Sequence, residues 1–246
     1  MITIKNISKS FDDREVLRGV NLHIDKGTTM VIMGASGSGK SVLLKLITGL
    51  VIPDEGEIWI KDKEITKLTE GQMKSVLEDI GMLFQSSALF DSLTVGQNVG
   101  FVLTRRAKLS KSEVAKIVAE KLEMVGLPGI EDMAPSELSG GMRKRVSLAR
   151  AISMNPEIVL YDEPTTGLDP LRSDEINMLI KKLHGELKVT SIVVTHDMKS
   201  AFEVATNMSM LRDGKIVITG TPNEIHSSTD PWVTDFVNTG FYNDDI

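Results

Sequence analysis

A glycine-rich segment, Gly34 to Ser41, constrains the fold of this 246-residue chain more than any other feature. It follows the apolar run Met30 to Met33 and leads into Val42 to Ile47, which has helical apolar spacing. Strand, glycine loop and helix in this order form the context in which such a loop binds phosphate. Glycine permits backbone dihedrals that a Cβ would block, so successive N–H groups can face an anion at the positive end of a helix. The segment predicts a nucleoside triphosphate site.

Two side chains at the end of this loop carry the predicted chemistry. Lys40 would place its ammonium on the β- and γ-phosphates, and the Ser41 hydroxyl would ligate Mg²⁺. The alternative is a glycine-rich turn that binds nothing, which the flanking strand and helix disfavour. The loop predicts the class of ligand, and many kinds of enzyme use that ligand.

The composition argues against several functional classes. The chain is 41% hydrophobic and 25% charged, which is typical of globular proteins. Its net charge of -6 and pI of about 5.3 argue against nucleic acid as a partner. It has no cysteine, which excludes disulfides, thiolate zinc sites and thiol catalysis. Because Lys45 interrupts the longest apolar candidate, Val42 to Ile52, we expect no membrane-spanning segment.

Apolar runs of strand length predict a sheet around the glycine loop. Residues 1–33 contain three such strands, and the third leads into the loop. Another run, Ile80 to Phe84, ends on Gln85. Ligands of parallel sheets bind outside the carboxyl ends of the strands, which would bring Gln85 to such a site. The alternative for Gln85 is a solvated side chain at the end of a strand.

Two isolated ring side chains each allow two interpretations. Phe11 lies in the first predicted connection, where it is either a packing residue or a ring that stacks on adenine. His196 follows a buried strand predicted for Thr190 to Thr195. It is either a ligand of a γ-phosphate or the attacking water, or a satisfied core histidine.

The strand pattern disappears from residue 92 to about residue 153, which predicts an all-helical insertion. Thr94 to Arg106 is predicted to be one amphipathic segment. Ser110 and Glu113 form a capping box that opens the next helix.

A second anion site is predicted near the end of this insertion. Ser139 is a good N-cap residue, and Gly140 and Gly141 leave the following helix N-terminus unobstructed. The basic cluster at 143–145 is interpreted as a solvated face of that helix.

Adjacent carboxylates follow another buried run, Glu157 to Tyr161. Asp162 would hold Mg²⁺ directly or through water, and Glu163 would polarise the attacking water as a general base. The alternative is a charged turn. Farther along, Asp169 opens a long predicted helix that reaches about Lys188.

Together these motifs resemble the ATP-binding subunits of ABC transporters over about residues 1–225. The resemblance implies an α/β fold with a P-loop NTPase (RecA-like) core, an antiparallel β subdomain and an inserted α-helical subdomain. It implies one domain over 1–246, with a core at 1–85 and 155–225, a helical subdomain at about 86–154 and a C-terminal tail at 226–246. The implied nucleotide-binding residues are Phe11, Gly34, Ala35, Ser36, Gly37, Ser38, Gly39, Lys40, Ser41, Val42, Gln85, Ser139, Gly140, Gly141 and Asp169. The implied catalytic residues are Lys40, Glu163 and His196, and the implied Mg²⁺ ligands are Ser41, Gln85 and Asp162.

The resemblance also implies the cofactors ATP and Mg²⁺ and several partners. ATP would lie between two copies of the chain, with the glycine loop of one copy and Ser139 and Gly141 of the other around its phosphates. An integral-membrane permease would hold the dimer at the cytoplasmic face of the inner membrane.

Three departures from the usual family pattern bear on the subfamily. Met142 stands where most relatives have Gln, the segment 85–90 is unusual, and Val42 stands where Thr is commoner. The first two resemble ATPases paired with MCE proteins, the Mla type, which move phospholipids or other hydrophobic lipids between membranes. That system implies an MCE-type lipid-binding protein and a small regulatory subunit as further partners. The alternatives are an importer of small solutes, such as amino acids, and a regulatory ATPase switch that transports nothing.

Overall fold

The computed structural model describes residues 1–106 and 109–242. The strands are β1 (Ile2–Phe11), β2 (Arg14–Ile24), β3 (Thr29–Met33), β4 (Glu55–Ile60), β5 (Lys63–Glu64), β6 (Ile80–Leu83), β7 (Ile158–Asp162), β8 (Thr190–Thr195), β9 (Asn207–Arg212) and β10 (Lys215–Gly220). The helices are α1 (Lys40–Ile47), α2 (Glu70–Leu77), α3 (Val95–Val99), α4 (Phe101–Arg106), α5 (Lys111–Met124), α6 (Gly140–Ala151), α7 (Pro170–Leu187), α8 (Met198–Val204), α9 (Pro222–His226) and α10 (Pro231–Tyr242). Among the described residues, none of these helices combines the length and apolarity needed to cross a bilayer.

The chain divides into two compact units. Unit 1 comprises Met1–Leu77 and Thr190–Ile246, and unit 2 comprises Glu78–Val189. Unit 1 contains an antiparallel sheet of order β2-β1-β4-β5 and a second set of strands in the order β10-β9-β3-β8. Unit 2 contains the parallel pair β6 and β7 together with α3 to α7. The fold is α/β with an antiparallel sheet, parallel strands and helices, which confirms the predicted class.

Buried parallel strands carry the glycine loop of unit 1. Every residue of β3 and β8 is buried, which explains the apolar runs Met30 to Met33 and Ile192 to Val194 within them. β3 runs parallel to β8, with Met33 opposite Thr195, and parallel to β9, with Met33 opposite Met210. Gly34 and His196, the next residues in the chain, therefore lie at the same edge of these strands.

In unit 2, the parallel strands β6 and β7 likewise bring the polar residues that follow them to one edge. Leu83 of β6 lies opposite Tyr161 of β7. Gln85 follows the first strand, and Glu163 follows the second, so both emerge at the carboxyl end of the pair.

The segment predicted to be continuous from Thr94 to Arg106 is divided into two helices. Thr94 to Arg106 is not a single segment, since α3 ends at Val99 and α4 starts at Phe101. Gly100 lies between them, and glycine is a weak helix former because it loses the most backbone entropy. The buried Asn98 amide donates to the carbonyls of Phe90, Leu93 and Thr94, which ties this break to the preceding loop.

The C-terminal helix α10 lies within the segment 226–246 that was expected to be a C-terminal tail. Its Val233 and Val237 are buried. Residues 243–246 of that tail lie outside the described residues.

Candidate active site

The glycine loop of unit 1 has a backbone that requires glycine at two points. Gly39 is the N-cap of α1 with a φ of 107°, a left-handed dihedral that side chains disfavour. At Gly34 a Cβ would clash with the carbonyl oxygen of Leu211. In the described part of the chain, α1 has no side-chain cap and no acidic residue in its first turn. Its first N–H groups therefore remain available to an anion.

Side chains of the same loop complete a set of donors. Lys40 is only 6% exposed, and its ammonium donates to the carbonyls of Gly34 at 2.7 Å and Ala35 at 3.1 Å. Within the described residues, the Ser38 hydroxyl oxygen is buried and has no hydrogen-bond partner. A bare helix N-terminus, an ammonium and an unsatisfied hydroxyl match the acceptor oxygens of a phosphate chain. The loop fits a triphosphate.

An open cavity of about 760 Å³ in unit 1 adjoins this loop. Arg14, the loop residues 35–38 and the 211–214 turn line it, together with Trp232 of α10. The guanidinium of Arg212 lies 5.0 Å from the centroid of the Trp232 ring. Trp232 could not be assigned to this position from the sequence, because nearly two hundred residues separate it from the loop.

The two ring side chains singled out in the sequence, Phe11 and His196, are both accessible. Phe11, at the end of β1, is 43% exposed, and the Lys9 ammonium lies 5.4 Å from its ring centroid. Part of the Phe11 ring is thus open to a planar ligand. His196 is exposed, so the interpretation as a core histidine is wrong.

In unit 2, the paired carboxylates lie at the end of β7. Asp162 is 8% exposed and Glu163 is 7% exposed. Glu163 has a φ of 48°, and holding a non-glycine residue in this region costs on the order of 1–3 kcal/mol. Thr166 donates from its hydroxyl to the Glu163 carboxylate at 3.2 Å and from its N–H to the Glu163 carbonyl at 3.3 Å. The carboxylate is therefore held in one position on a strained turn.

The segment after β6 is also strained. Gln85 is exposed, and Ser87 and Ala88 have φ values of 64° and 46°. Ser87 is nevertheless only 4% exposed. Such dihedrals persist where surrounding contacts enforce them.

The N-cap predicted at the start of α6, where the second anion site is expected, is present. Ser139 is the N-cap, and its hydroxyl accepts from the Met142 N–H at 3.3 Å. The exposed Gly140 places no side chain over this helix end.

The basic cluster on α6 is only in part the solvated face that the sequence indicated, because Arg143 is exposed but Lys144 is buried. Lys144 is 4% exposed, and its ammonium donates to the carbonyl oxygens of Gln85 at 2.5 Å and Glu163 at 3.2 Å. Burial lowers the pKa of the Lys144 ammonium, and the negative charges of Asp162 and Glu163 offset only part of that effect. The sequence pattern missed this residue because its acceptors are main-chain atoms far away in the chain. Arg145 is ion-paired with Glu175 at 2.6 Å.

Asp169 is the N-cap of α7. Its carboxylate accepts from the Arg172 N–H at 3.0 Å and is exposed at the start of the helix.

The predicted site residues fall into two sets. Unit 1 carries Phe11, Gly34 to Val42 and His196, and unit 2 carries Gln85, Ser139 to Gly141, Asp162, Glu163 and Asp169.

Comparison with known proteins decides the family. The family model described as ABC transporter matches residues 17–166, more than half of the chain. The chain belongs to the ABC transporter family. It is 40% identical to the intermembrane phospholipid transport system ATP-binding protein MlaF of Haemophilus influenzae, over 96% of this chain and 90% of the relative. It is also 40% identical to the chloroplastic protein TRIGALACTOSYLDIACYLGLYCEROL 3 of Arabidopsis thaliana, over 96% and 73% of the two chains.

Other relatives in the ABC family show that substrate is not determined by this similarity. The sulfate/thiosulfate import ATP-binding protein CysA of Thermosynechococcus vestitus is 42% identical, over 96% of this chain and 69% of the relative. Among solved structures, an ATP-binding cassette dimer in a post-hydrolysis state with ADP and Pi matches with a TM-score of 0.83. It is 36% identical and covers 90% of this chain and 99% of that chain. This chain is therefore an ATP-hydrolysing subunit of an ABC transporter.

Proposed function

We propose that this ABC ATPase drives the movement of phospholipid, or of another hydrophobic lipid, between membranes. The observation that carries the proposal is the match to the Haemophilus phospholipid transport subunit, which extends over 90% of that protein. The CysA relative matches over 69% of its length, so it contains a region that this chain does not align with. Met142 and the segment 85–90 support the same assignment.

The proposed chemistry divides between the two sets of residues. Lys40 and the N–H groups of the glycine loop bind the phosphates, and Phe11 stacks on adenine. Glu163 takes the proton of the attacking water as general base, and His196 contacts the γ-phosphate or that water. Ser41, Gln85 and Asp162 would hold Mg²⁺, which when bound neutralises charge on the phosphate oxygens.

A second copy of the chain is proposed to complete each site. ABC cassettes dimerise and pair with membrane permease subunits, and the similar cassette bound to ADP and Pi is a dimer. The unobstructed helix end at Ser139 to Gly141 is a second anion site in each chain. In the dimer it would cap the γ-phosphate bound by the partner copy, with Asp169 near the same interface.

The proposed partners follow from the lipid assignment. They are an integral-membrane permease, an MCE-type lipid-binding protein and a small regulatory subunit, with this chain at the cytoplasmic face of the inner membrane. A second candidate function, import of a small solute, is favoured by the 42% identity to CysA.

Purification of the assembled complex separates these two functions. We expect a tagged copy of this chain to retain a permease, bound phospholipid and a membrane-anchored lipid-binding subunit. The Glu163→Gln variant should retain the same subunits, because the change leaves the surface of the protein intact. Recovery of a periplasmic solute-binding protein, with no lipid above the level of an unrelated membrane complex, would refute the lipid assignment and support the importer.

A further inference from the structure

One side of α6 carries three donor side chains that reach main-chain carbonyls of unit 2. Lys144, Ser147 and Arg150 are spaced three residues apart, which places them on successive turns of one side of the helix. Ser147 donates to the carbonyl of Ser87 at 2.8 Å, and Arg150 donates to the carbonyl of Ala88 at 2.7 Å. The helix that begins at the second anion site is thereby bonded to the segment after β6.

Lys144 differs from the other two donors because it joins two strand ends. Its ammonium contacts the carbonyl of Gln85 after β6 and the carbonyl of Glu163 after β7. A buried ammonium is stable only where hydrogen bonds replace its water, so these two acceptors are the reason that it can lie there. The side chain therefore connects both strand ends to α6.

The backbone on both sides of these contacts is strained. Glu163 and Ser87 have φ values of 48° and 64°, and neither residue is glycine. A donor fixed on a carbonyl opposes rotation of the peptide group to which that carbonyl belongs. Without the ammonium, the Glu163 carbonyl loses its donor at 3.2 Å while the Thr166 N–H at 3.3 Å remains, so the turn is held less firmly and its carboxylate can shift.

We propose that Lys144 is a positioning residue for ATP hydrolysis. It holds the main chain of Gln85 and Glu163 in the geometry that the reaction needs and couples that geometry to the start of α6 at Ser139. The inference rests on the proposed roles of Gln85 and Glu163.

The test is steady-state ATPase kinetics of the transporter complex carrying Lys144→Met, which removes the ammonium and keeps the stem. Because misplacement by about 1 Å costs up to about 100-fold, we expect kcat to fall by about 10- to 100-fold while KM for ATP changes by less than about threefold. Lys144→Arg keeps a charged donor and should recover most of the lost kcat. An unchanged kcat in Lys144→Met, or equal losses in the Met and Arg variants, would overturn the proposal.

Lys121→Met is the matched control. Lys121 is a buried lysine of the same unit, 2% exposed, with hydrogen bonds to Glu120 at 2.9 Å and Asn155 at 2.8 Å. Among the described residues its hydrogen bonds go to α5 and to Asn155 before β7, away from the carboxyl ends of β6 and β7, so its loss should lower Tm and leave kcat unchanged. If the two methionine variants lose kcat in proportion to their losses of Tm, Lys144 has a structural role only.

A double variant separates this inference from the proposed function. If Lys144 acts through Glu163, Lys144→Met should slow the Glu163→Gln enzyme by much less than it slows the wild type. If the loss of kcat in the double variant equals the product of the losses in the two single variants, the positioning role is overturned. A Glu163→Gln enzyme with normal turnover would instead refute the role of Glu163 itself, whatever Lys144→Met does in the wild type.

Discussion

Glu163→Gln is expected to lower ATP turnover by about 10²- to 10⁴-fold, the usual contribution of a positioned general base. Glutamine has the same size as glutamate and can still accept the Thr166 hydroxyl, so the buried turn should persist. ATP binding should survive, because the phosphate-binding donors of the glycine loop are unchanged. The measurement is phosphate release at saturating ATP together with the dissociation constant for ATP.

The control for this prediction is Glu123→Gln, which makes the same change of charge at an exposed position of α5. Its turnover should equal that of the wild type. Normal turnover in Glu163→Gln would contradict the assignment of Glu163 as the base.

Lys40→Ala is expected to weaken ATP binding strongly. A hydrogen bond to a charged group contributes about 1.5–3 kcal/mol, which corresponds to about a 10- to 150-fold rise in the dissociation constant. The variant also removes two donations to the loop carbonyls of Gly34 and Ala35, so the loop loses an internal support. Equilibrium binding of a fluorescent ATP analogue, read against competing ATP, measures the effect.

Lys45→Ala is the matched variant for this test. Lys45 is an exposed lysine on the same helix, α1, so its removal alters the local charge without touching the loop. We expect its ATP affinity to stay within about twofold of the wild type, as for most exposed substitutions. Equal affinities for the Lys40 and Lys45 variants would rule out the role of Lys40 in holding phosphate.

Much of this architecture could be predicted because its signals are local in the sequence. The strands β3 and β8 are buried at every residue, and they lead directly into Gly34 and His196 at the strand edge. The capping box at Ser110 and the N-cap at Ser139 lie where their side chains predicted them. In the β9–β10 hairpin, Asp213 and Gly214 both have positive φ, as their residue types indicate.

The features that could not be predicted depend on contacts between distant main-chain atoms. Lys144 belongs to a run of basic residues that resembles a solvated face, and only the fold shows its acceptors at Gln85 and Glu163. Every residue type has a main-chain carbonyl, so the sequence does not reveal which carbonyl accepts a hydrogen bond. The strained dihedrals of Ser87 and Ala88 are likewise set by surrounding donors, because serine and alanine do not favour them.

The substrate is the part of the function that this chain encodes least directly. Its glycine loop, carboxylates and serine-capped helix are proposed to bind and hydrolyse ATP. An ABC permease forms the path of the transported molecule, so residues of this chain affect substrate choice only through the partner that they bind. The relatives agree with this division, since a phospholipid system and a sulfate importer have similar cassettes.

In the proposed dimer, one copy of this chain supplies the glycine loop and a second copy supplies the serine-capped helix for the same ATP. Sedimentation velocity of the Glu163→Gln protein, with ATP and with ADP, tests it most directly. We expect a species of twice the 27.0 kDa chain mass with ATP and a monomer with ADP. Adding Ser139→Asp should abolish the ATP-dependent dimer, because aspartate still caps α6 but repels the γ-phosphate. A dimer that forms equally with both nucleotides, or that persists with Ser139→Asp, would contradict the shared site.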